Sequence, residues 1–416
     1  MRYCKRCLYP ENHPLNITFN EHGLCSGCVV HEEKDNLNWD ERIARLEGIL
    51  KQYRSKSRNT PDCIIPVTGA RDSYYTVHII KNVFKMRPLL VSYNPQYNTK
   101  IGIRNLAYLR TLFGCDFIQT TTSPERAKRV TKASLESMGS MYWHVIAGST
   151  AFPVQIATKF KIPLIVWGVH QGIDQVGMFS HLDEVEMTRK YRKEHDLMCF
   201  EAEDLVLNSN HISMDDMEQF VYPHNKEIES VGVRGIYLSN YMRWDTKAQH
   251  ELMIDKYGYE TLQQQRTFDT YNDVDSFHYS GIHDYIKFIK YGYGKVTDHA
   301  SREIRLKRLT REKGIELVKH YQNLYPRDLE LFLKWIEMSE QEFWSYINQY
   351  RDIRVWGKNQ HGAWYLNDSV LEHLDDVGVD DVRLDANLDY NFIKTKSRAP
   401  KVDENEYVLI DRGWVD

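Results

Sequence analysis

The fold of this chain is decided by the stretch Cys63-Ile64-Ile65-Pro66-Val67-Thr68-Gly69-Ala70-Arg71-Asp72-Ser73-Tyr74-Tyr75. Its apolar half, residues 63–67, suits a strand that is buried on both faces. Gly69 and Ala70 leave the following turn free of bulk, so that its backbone N–H groups can approach a ligand closely. Asp72 and Ser73 open a helix whose first N–H groups lack partners and carry partial positive charge. The stretch therefore predicts an anion-binding turn suited to phosphate.

The turn resembles the pyrophosphate-binding loop (PP-loop) of N-type ATP pyrophosphatases, which usually reads Ser-Gly-Gly-x-Asp-Ser. In this chain Thr68 keeps the hydroxyl, Ala70 replaces the second glycine and Arg71 replaces the common lysine. Alanine is strained at a position that requires a positive φ angle. An ordinary strand-turn-helix junction has the same pattern, because short glycine motifs have many false matches.

The composition indicates a globular protein without a bias toward nucleic acid. The chain has 416 residues, 42% hydrophobic and 27% charged, with a net charge of −4. These values suit two or three domains and give no overall attraction to nucleic acid or anionic membranes. No apolar run approaches the ~20 residues of a membrane span, and no signal-peptide pattern follows Met1. We therefore expect a cytoplasmic protein whose seven cysteines do not form a disulfide framework.

Four of these cysteines form two C-x-x-C pairs, Cys4 with Cys7 and Cys25 with Cys28. Each pair can direct two thiolates at one metal, and the intervening loop brings the pairs together, which predicts a closed structural zinc site. Two redox pairs or unrelated free thiols are the alternatives.

From residue 62 onward, strand patterns alternate with helix patterns. This alternation favours an α/β fold, a parallel sheet flanked by helices. The predicted strands are residues 63–67, 88–93, 117–121 and 163–167, and the predicted helices are residues 74–84, 101–113, 150–160 and one that begins at Ser123-Pro124.

Parallel sheets bind ligands beyond the carboxyl ends of their strands. Ser92, Tyr93 and Asn94 lie at one such end and are expected to face adenine or ribose. Gly168 begins the segment after the fourth strand, which also carries His170 and Asp174. This segment loosely resembles the second pyrophosphatase element, in which Asp174 would hold Mg²⁺ on ATP phosphates. A polar surface loop is the alternative.

A basic region follows between Lys287 and Lys319, with ten basic and four acidic residues. Such a cluster suits an anionic ligand such as a nucleotide sugar, and a solvated helix face is the alternative.

Several separated motifs together resemble the N-acetyl sugar amidotransferase family of bacterial surface-polysaccharide pathways. They are residues 3–10, 63–75, 152–157, 162–168, 281–289, 297–301 and 310–312. The resemblance implies an adenine nucleotide alpha hydrolase-like domain at 61–240, preceded by a zinc ribbon at 1–36 and a helix and linker at 37–60. A mainly helical substrate-binding region would occupy 241–416.

The same resemblance implies conversion of an acetamido group on a sugar or nucleotide sugar to an acetamidino group, in lipopolysaccharide (LPS), O-antigen or related glycan biosynthesis. ATP and Mg²⁺ would activate the amide oxygen as an adenylate, releasing pyrophosphate and then AMP. Ammonia would come from a partner glutaminase, with a cyclase-like channel subunit. The residues expected to act in catalysis are Asp72, Ser73, Arg71 and Asp174, and those expected to bind the nucleotide are Thr68, Gly69, Ala70, Ser73, Ser92, Tyr93, Asn94, Gly168 and His170.

Two other functions remain compatible with the sequence. A tRNA-modifying thiolase often pairs this loop with zinc-binding cysteines, although Cys63, Cys115 and Cys199 are isolated and the acidic balance suits tRNA poorly. A non-catalytic scaffold that binds zinc and nucleotide is the other.

Overall fold

A computed structural model describes residues 1–57, 59–374 and 376 of the chain. Its centre is a five-stranded parallel sheet with the strand order β3-β2-β1-β4-β5. In this sheet Ile64 pairs with Leu89 on one side and with Ile165 on the other. The strands are β1 (Cys63–Pro66), β2 (Pro88–Asn94), β3 (Phe117–Thr121), β4 (Leu164–Trp167) and β5 (Arg234–Tyr237).

Helices precede, cover and follow this sheet. In the first half of the chain they are α1 (Ser26–Asn36), α2 (Trp39–Gln52), α3 (Arg71–Val77), α4 (Lys100–Phe113), α5 (Pro124–Met138), α6 (Trp143–Phe160), α7 (Gln171–Asp174), α8 (Arg189–Tyr191) and α9 (Ala202–Leu207). Further on they are α10 (Met214–Met217), α11 (Asn225–Val231), α12 (Thr246–Tyr257), α13 (Phe277–Tyr291), α14 (Lys295–Arg305), α15 (Arg311–Tyr321), α16 (Leu329–Ile336) and α17 (Glu340–Ile347). A small antiparallel hairpin, β6 (Trp356–Lys358) and β7 (Trp364–Leu366), follows α17.

Strands β1, β2 and β4 are buried on both faces of the sheet, as their apolar sequences predict. On one face Ile65 packs with Leu46 of α2, Val77 of α3 and Met253 of α12. On the other face Ile64 packs with residues of α6, among them Val154. The layers place the carboxyl ends of β1 and β4 side by side at one edge of the sheet.

That edge is the topological switch point of the fold. The chain runs from β1 outward to β2 and β3, then returns to the other side of β1 to form β4 and β5. The loops after β1 and β4 therefore diverge into helices on opposite sides and leave a crevice, the usual ligand position in open α/β sheets.

The C-terminal helices form two further cores next to the sheet. Ile282 and Ile286 of α13 pack with Phe332 of α16 and Phe343 of α17. Val296 and Ile304 of α14 pack instead with the cysteine-rich N-terminus, including Leu8. The N-terminal ribbon thus packs against the C-terminal part of the chain.

The predicted fold class is confirmed: a parallel sheet flanked by helices, an N-terminal cysteine cluster and a mainly helical C-terminal part. The domain boundaries stay predictions. The last part of the 241–416 region, from residue 377 onward, lies outside the described residues. Among the helices of the described residues, none combines the length and the apolar character that crossing a membrane requires.

Two differences from the sequence prediction concern the parallel sheet and a helix that covers it. Helix α6 begins at Trp143 instead of residue 150, because Trp143, Ala147 and Ala151 continue its buried face toward the N-terminus. Strand β5 was not predicted. It has only four residues, and its Gly235 gives little strand signal.

Candidate functional site

The loop after β1 is held by hydroxyl groups at both of its ends. The backbone N–H of Thr68 donates to Ser73 Oγ at 3.1 Å, and the N–H of Ala70 donates to Thr68 Oγ1 at 3.3 Å. The loop then enters α3 at Arg71. Because the first N–H groups of a helix have no acceptor within it, this turn can bind an anion.

The backbone resolves the question raised by Ala70. Gly69 carries the positive φ angle, +86°, whereas Ala70 has φ −75° and ψ 167°, an extended conformation open to any residue. A Cβ atom at Gly69 would lie 2.9 Å from the Cβ atom of Leu106. The loop therefore requires its first glycine and accepts alanine at the second position without strain.

Arg71 and Asp72 carry the charge of this loop. They form an ion pair at 2.8 Å, and the Nε atom of Arg71 is buried without a hydrogen-bond partner among the described residues. Burial raises the pKa of Asp72, Arg71 lowers it, and the nearby carboxylate of Asp174 raises it again. An added cation beside these two carboxylates would relieve their repulsion.

The loop after β4 approaches the first loop from the neighbouring strand. A Cβ atom at Gly168 would lie 3.6 Å from Asp72 Cβ, so the backbones of the two loops are close. Asp174 forms an ion pair with Lys34 of α1. His170 is fully buried, and its Nδ1 atom accepts from the backbone N–H of Ile173. Burial lowers the pKa of His170 to about 3, so this residue is a neutral helix cap.

A cavity of 340 Å³ opens beside the two loops. Arg71 and Asp174 line one side of it, and helices α13 and α14 line the other. The wall from the C-terminal part comprises Asn272, Asp273, Ser280, His283, Asp284, Lys287, Lys295, Asp298, His299, Arg302 and Arg305. Val169, Gln171, Gln175, Trp244, Thr246, Tyr9 and Tyr142 complete the lining.

The polar groups of the C-terminal wall are held by a buried network. Asp269 accepts from Arg302 Nη2 at 2.8 Å and from the backbone N–H groups of Tyr271 and Asn272. His299 contacts Thr267 Oγ1 at 2.7 Å through Nδ1. Burial lowers the pKa of His299 to about 4, so its ring is neutral near pH 7. The wall is therefore preorganised before any ligand binds.

The predicted basic region divides into two groups. Four of its members, Lys287, Lys295, Arg302 and Arg305, line the cavity. Each has a nearby acceptor; Lys295, for example, lies 3.1 Å from Asp273 Oδ2. The other group lies elsewhere and includes Lys290, which donates to the carbonyl oxygen of Met138, and Lys313, which pairs with Glu316. Only part of the basic region is thus available to an anionic ligand in the cavity.

The predicted nucleotide-binding residues at the end of β2 have other contacts. The hydroxyl of Tyr93 lies 3.1 Å from Thr122 Oγ1 and 3.0 Å from His144 Nδ1. Ser92 is buried, and the side-chain oxygen of Asn94 accepts from the backbone N–H of Gln96. These three residues do not line the cavity. Their role in binding adenine or ribose stays a prediction.

The four ribbon cysteines form a compact group. All are fully buried, and their Sγ atoms lie within 4.8 Å of one another. The Cys4–Cys28 and Cys7–Cys25 sulfur distances are 3.8 Å and 3.5 Å. Tetrahedral zinc with bonds of about 2.3 Å separates its sulfur ligands by roughly 3.8 Å. The cluster therefore fits a structural zinc ion, with every ligand position taken by a cysteine.

The cysteine cluster is joined to the loop after β4. Arg305 Nη2 lies 3.7 Å from Cys7 Sγ and 3.5 Å from Cys25 Sγ, and its Nη1 atom donates to the carbonyl oxygen of Gln175. Ser26 Oγ donates to the carbonyl oxygen of Val176 at 2.8 Å. Lys34 in addition forms the ion pair with Asp174. Three consecutive residues of the loop, 174–176, are therefore bound by side chains that belong to the ribbon or pack against it.

Sequence reasoning missed several residues of this site. Lys34, Asp273 and Ser280 are single polar residues without a motif, and no local pattern distinguishes them from surface positions. His283, Asp298 and His299 belong to quoted motifs without an assigned role. Their shared location on the cavity wall follows only from the packing of α13 beside α14.

Residues 240–370 match the family model described as "LPS biosynthesis protein WbpG-like, C-terminal domain". The matched segment includes α12 to α17 and supplies the C-terminal wall of the cavity. No curated protein matches the chain. The match confirms the predicted resemblance over this segment: residues 240–370 are similar to the C-terminal domain of WbpG-like LPS biosynthesis proteins.

Proposed function

We propose that this protein is an AMP-forming, ATP-dependent amidotransferase that converts the acetamido group of a sugar or nucleotide sugar to an acetamidino group. The observation that carries the proposal is the composition of the cavity. One wall comes from the loops after β1 and β4, and the other comes from the domain matched to an LPS biosynthesis family. We place the pathway in the synthesis of LPS, O-antigen or a related surface glycan.

In the first step the amide oxygen attacks the α-phosphorus of ATP and pyrophosphate leaves. Thr68, Gly69, Ala70, Ser73 and the N-terminus of α3 would hold the departing pyrophosphate, and Arg71 would stabilise its developing charge. Asp72 and Asp174 are the carboxylates that would hold Mg²⁺, an ion that offsets phosphate charge. Gly168 allows the second loop to approach these groups.

In the second step the lone pair of ammonia attacks the activated carbon. The nitrogen loses one proton, and the C–O bond breaks to release AMP and leave the amidine. An amide oxygen is a poor leaving group by itself, so adenylation supplies the driving force. We propose that the ammonia comes from a partner glutaminase through a cyclase-like channel subunit, and that the complex is cytoplasmic.

The test is an assay of purified protein with Mg-ATP, ammonium chloride and a panel of acetamido nucleotide sugars. We expect AMP, pyrophosphate and amidine in equal amounts, measured by chromatography and mass spectrometry. Arg71→Met is expected to abolish all three, whereas the exposed Arg54→Met serves as the matched control.

The alternatives give different results in the same assay. Nucleotide binding without AMP formation, even with the glutaminase present, favours a scaffold. AMP formation that depends on tRNA favours a thiolase. The amidotransferase proposal fails if no acetamido sugar in the panel yields an amidine.

A further inference from the structure

A group of buried polar side chains lies next to the cavity, between the ribbon and α14. Tyr9, His13 and Tyr293 are each at most 5% exposed. Their rings contact one another in pairs, with centroid distances of 5.0 Å for Tyr9–His13, 5.8 Å for His13–Tyr293 and 6.3 Å for Tyr9–Tyr293. Lys287 Nζ lies 4.4 Å from the ring centroid of Tyr293 and forms an ion pair with Asp298 at 2.5 Å.

Four polar atoms of this group are buried without a hydrogen-bond partner in the described part of the chain. They are the hydroxyl of Tyr9, His13 Nε2, the hydroxyl of Tyr293 and Asp298 Oδ1. Unpaired buried polar atoms destabilise a protein, and proteins usually satisfy such groups with ordered water or another small bound molecule. The unpaired atoms of His13, Tyr293 and Asp298 belong to side chains that contact one another directly or through Lys287, which indicates a site for one small polar molecule.

The protonation of His13 defines what the molecule must offer. The backbone N–H of Leu15 donates to His13 Nδ1 at 3.2 Å, so Nδ1 supplies a lone pair. Burial, together with Lys287 and Arg305, lowers the pKa of His13 well below its ordinary value, so the ring is neutral. The ring proton is therefore on Nε2, which needs an acceptor.

The other two atoms can both accept a hydrogen bond from the bound molecule. Asp298 Oδ1 accepts only, while the Tyr293 hydroxyl can donate or accept. Burial and Asp298 raise the pKa of Tyr293 well above its ordinary value, so the hydroxyl keeps its proton. A ligand with one lone pair and several N–H groups satisfies all three atoms. Ammonium has no lone pair for His13 Nε2, whereas ammonia does.

The location connects the group with the reacting centre. Tyr9, Lys287 and Asp298 also line the cavity, and Asn16, three residues after His13, is exposed. The group thus borders the cavity.

The geometry points to a binding site for neutral ammonia at His13, Tyr293 and Asp298, beside the cavity. This inference rests on the proposed function, because only an amidation consumes ammonia. Water satisfies the same three atoms and occupies the site when ammonia is absent.

The experiment measures the ammonium chloride concentration that half-saturates amidine formation at fixed pH, with saturating Mg-ATP and acceptor sugar. Tyr293→Phe removes only the hydroxyl, and Tyr291→Phe, a half-buried tyrosine of the same segment, is the control. We expect Tyr293→Phe to raise this concentration about five- to tenfold. We expect no change in the KM for ATP, in the KM for the sugar or in pyrophosphate release without ammonia.

His13→Gln is the second variant, and thermal melting checks that both variants fold. The inference is supported if at least one folded variant raises only the ammonium requirement. It is overturned if the ammonium requirement is unchanged, or if the three KM values rise together. A wild-type protein that forms neither AMP nor amidine contradicts the proposed function itself, whereas an active wild type with unaffected variants contradicts only the ammonia site.

Discussion

Lys34, on the helix that begins between the second pair of cysteines, forms an ion pair with Asp174 in the loop after β4. The two residues are 140 positions apart, and the ammonium side chain is only 4% exposed. Asp174 is also the carboxylate that, with Asp72, would hold Mg²⁺. The ribbon therefore supplies the charge that keeps a carboxylate of the candidate ATP site in place.

Removal of Lys34 should destabilise the protein through Asp174. We expect Lys34→Met to lower the free energy of unfolding by about 3 kcal/mol, because it leaves a partly buried carboxylate without its partner. In the double variant with Asp174→Asn, the loss should be smaller than the sum of the two single losses. Urea unfolding of the four proteins measures this coupling, and strictly additive losses would contradict it.

Arg305 should control how tightly the cysteine cluster holds zinc. Its guanidinium lies beside the sulfur atoms of Cys7 and Cys25, where a positive charge stabilises thiolates. We expect Arg305→Met to weaken zinc binding about 10–100-fold, the usual effect of removing a group that supports metal ligands. Competition with a chromophoric chelator measures the affinity.

Lys307→Met is the matched control, because Lys307 is exposed and lies two residues further along the chain. Wild-type protein should contain one zinc ion per chain by atomic absorption. A zinc affinity of Arg305→Met equal to that of the control would contradict the prediction.

The two small residues of the loop after β1 should respond in opposite ways. Gly69→Ala forces alanine into the left-handed region and toward Leu106, so we expect a loss of at least about 1–2 kcal/mol and weaker Mg-ATP binding. Ala70→Gly keeps an ordinary backbone conformation, and its cost should stay within about 1 kcal/mol. Urea unfolding and calorimetric ATP titration measure both. Equal effects of the two substitutions would show that the positive φ angle is not what the loop requires.

The sequence predicted the parts of the fold that depend on local pattern. Buried strands such as residues 63–67 and the pair spacing of the cysteines each carry their signal within a few residues. Strand β5 is too short for such a signal, and the start of α6 depends on packing against the sheet. The periodicity also cannot show which polar residues meet, because the Lys34–Asp174 and Arg302–Asp269 ion pairs form only after distant segments pack together.

The same limit explains the predicted residues at the end of β2. The position of Ser92, Tyr93 and Asn94 at a carboxyl strand end followed from the pattern and is observed. Sheet order, however, places the switch point between β1 and β4. Tyr93 instead packs its ring against Gly148 of α6, where a Cβ atom would lie 2.6 Å from the ring.

Asp269 should make the stability of the cavity wall sensitive to acid. Burial by itself raises the pKa of this carboxyl, but nearby His299 and Arg302 and its hydrogen bonds outweigh burial and hold the pKa below its ordinary value. A carboxyl with a lowered pKa in the folded state stabilises the protein above its unfolded pKa of about 3.9. That stabilisation is lost as the pH falls from there toward the pKa of the folded state.

Asp269→Asn removes this dependence while it keeps the shape of the side chain. We expect the variant to lose about 3–5 kcal/mol at pH 7, because Arg302 loses one of its two buried carboxylate partners, the other being Glu303. The difference between wild type and variant should shrink as the pH is lowered from about 5 to 3. Urea unfolding across this range tests the prediction, since acid effects on the cysteine cluster are common to both proteins and cancel in the difference. A difference that stays constant with pH would mean that Asp269 is not the carboxylate whose charge stabilises the wall.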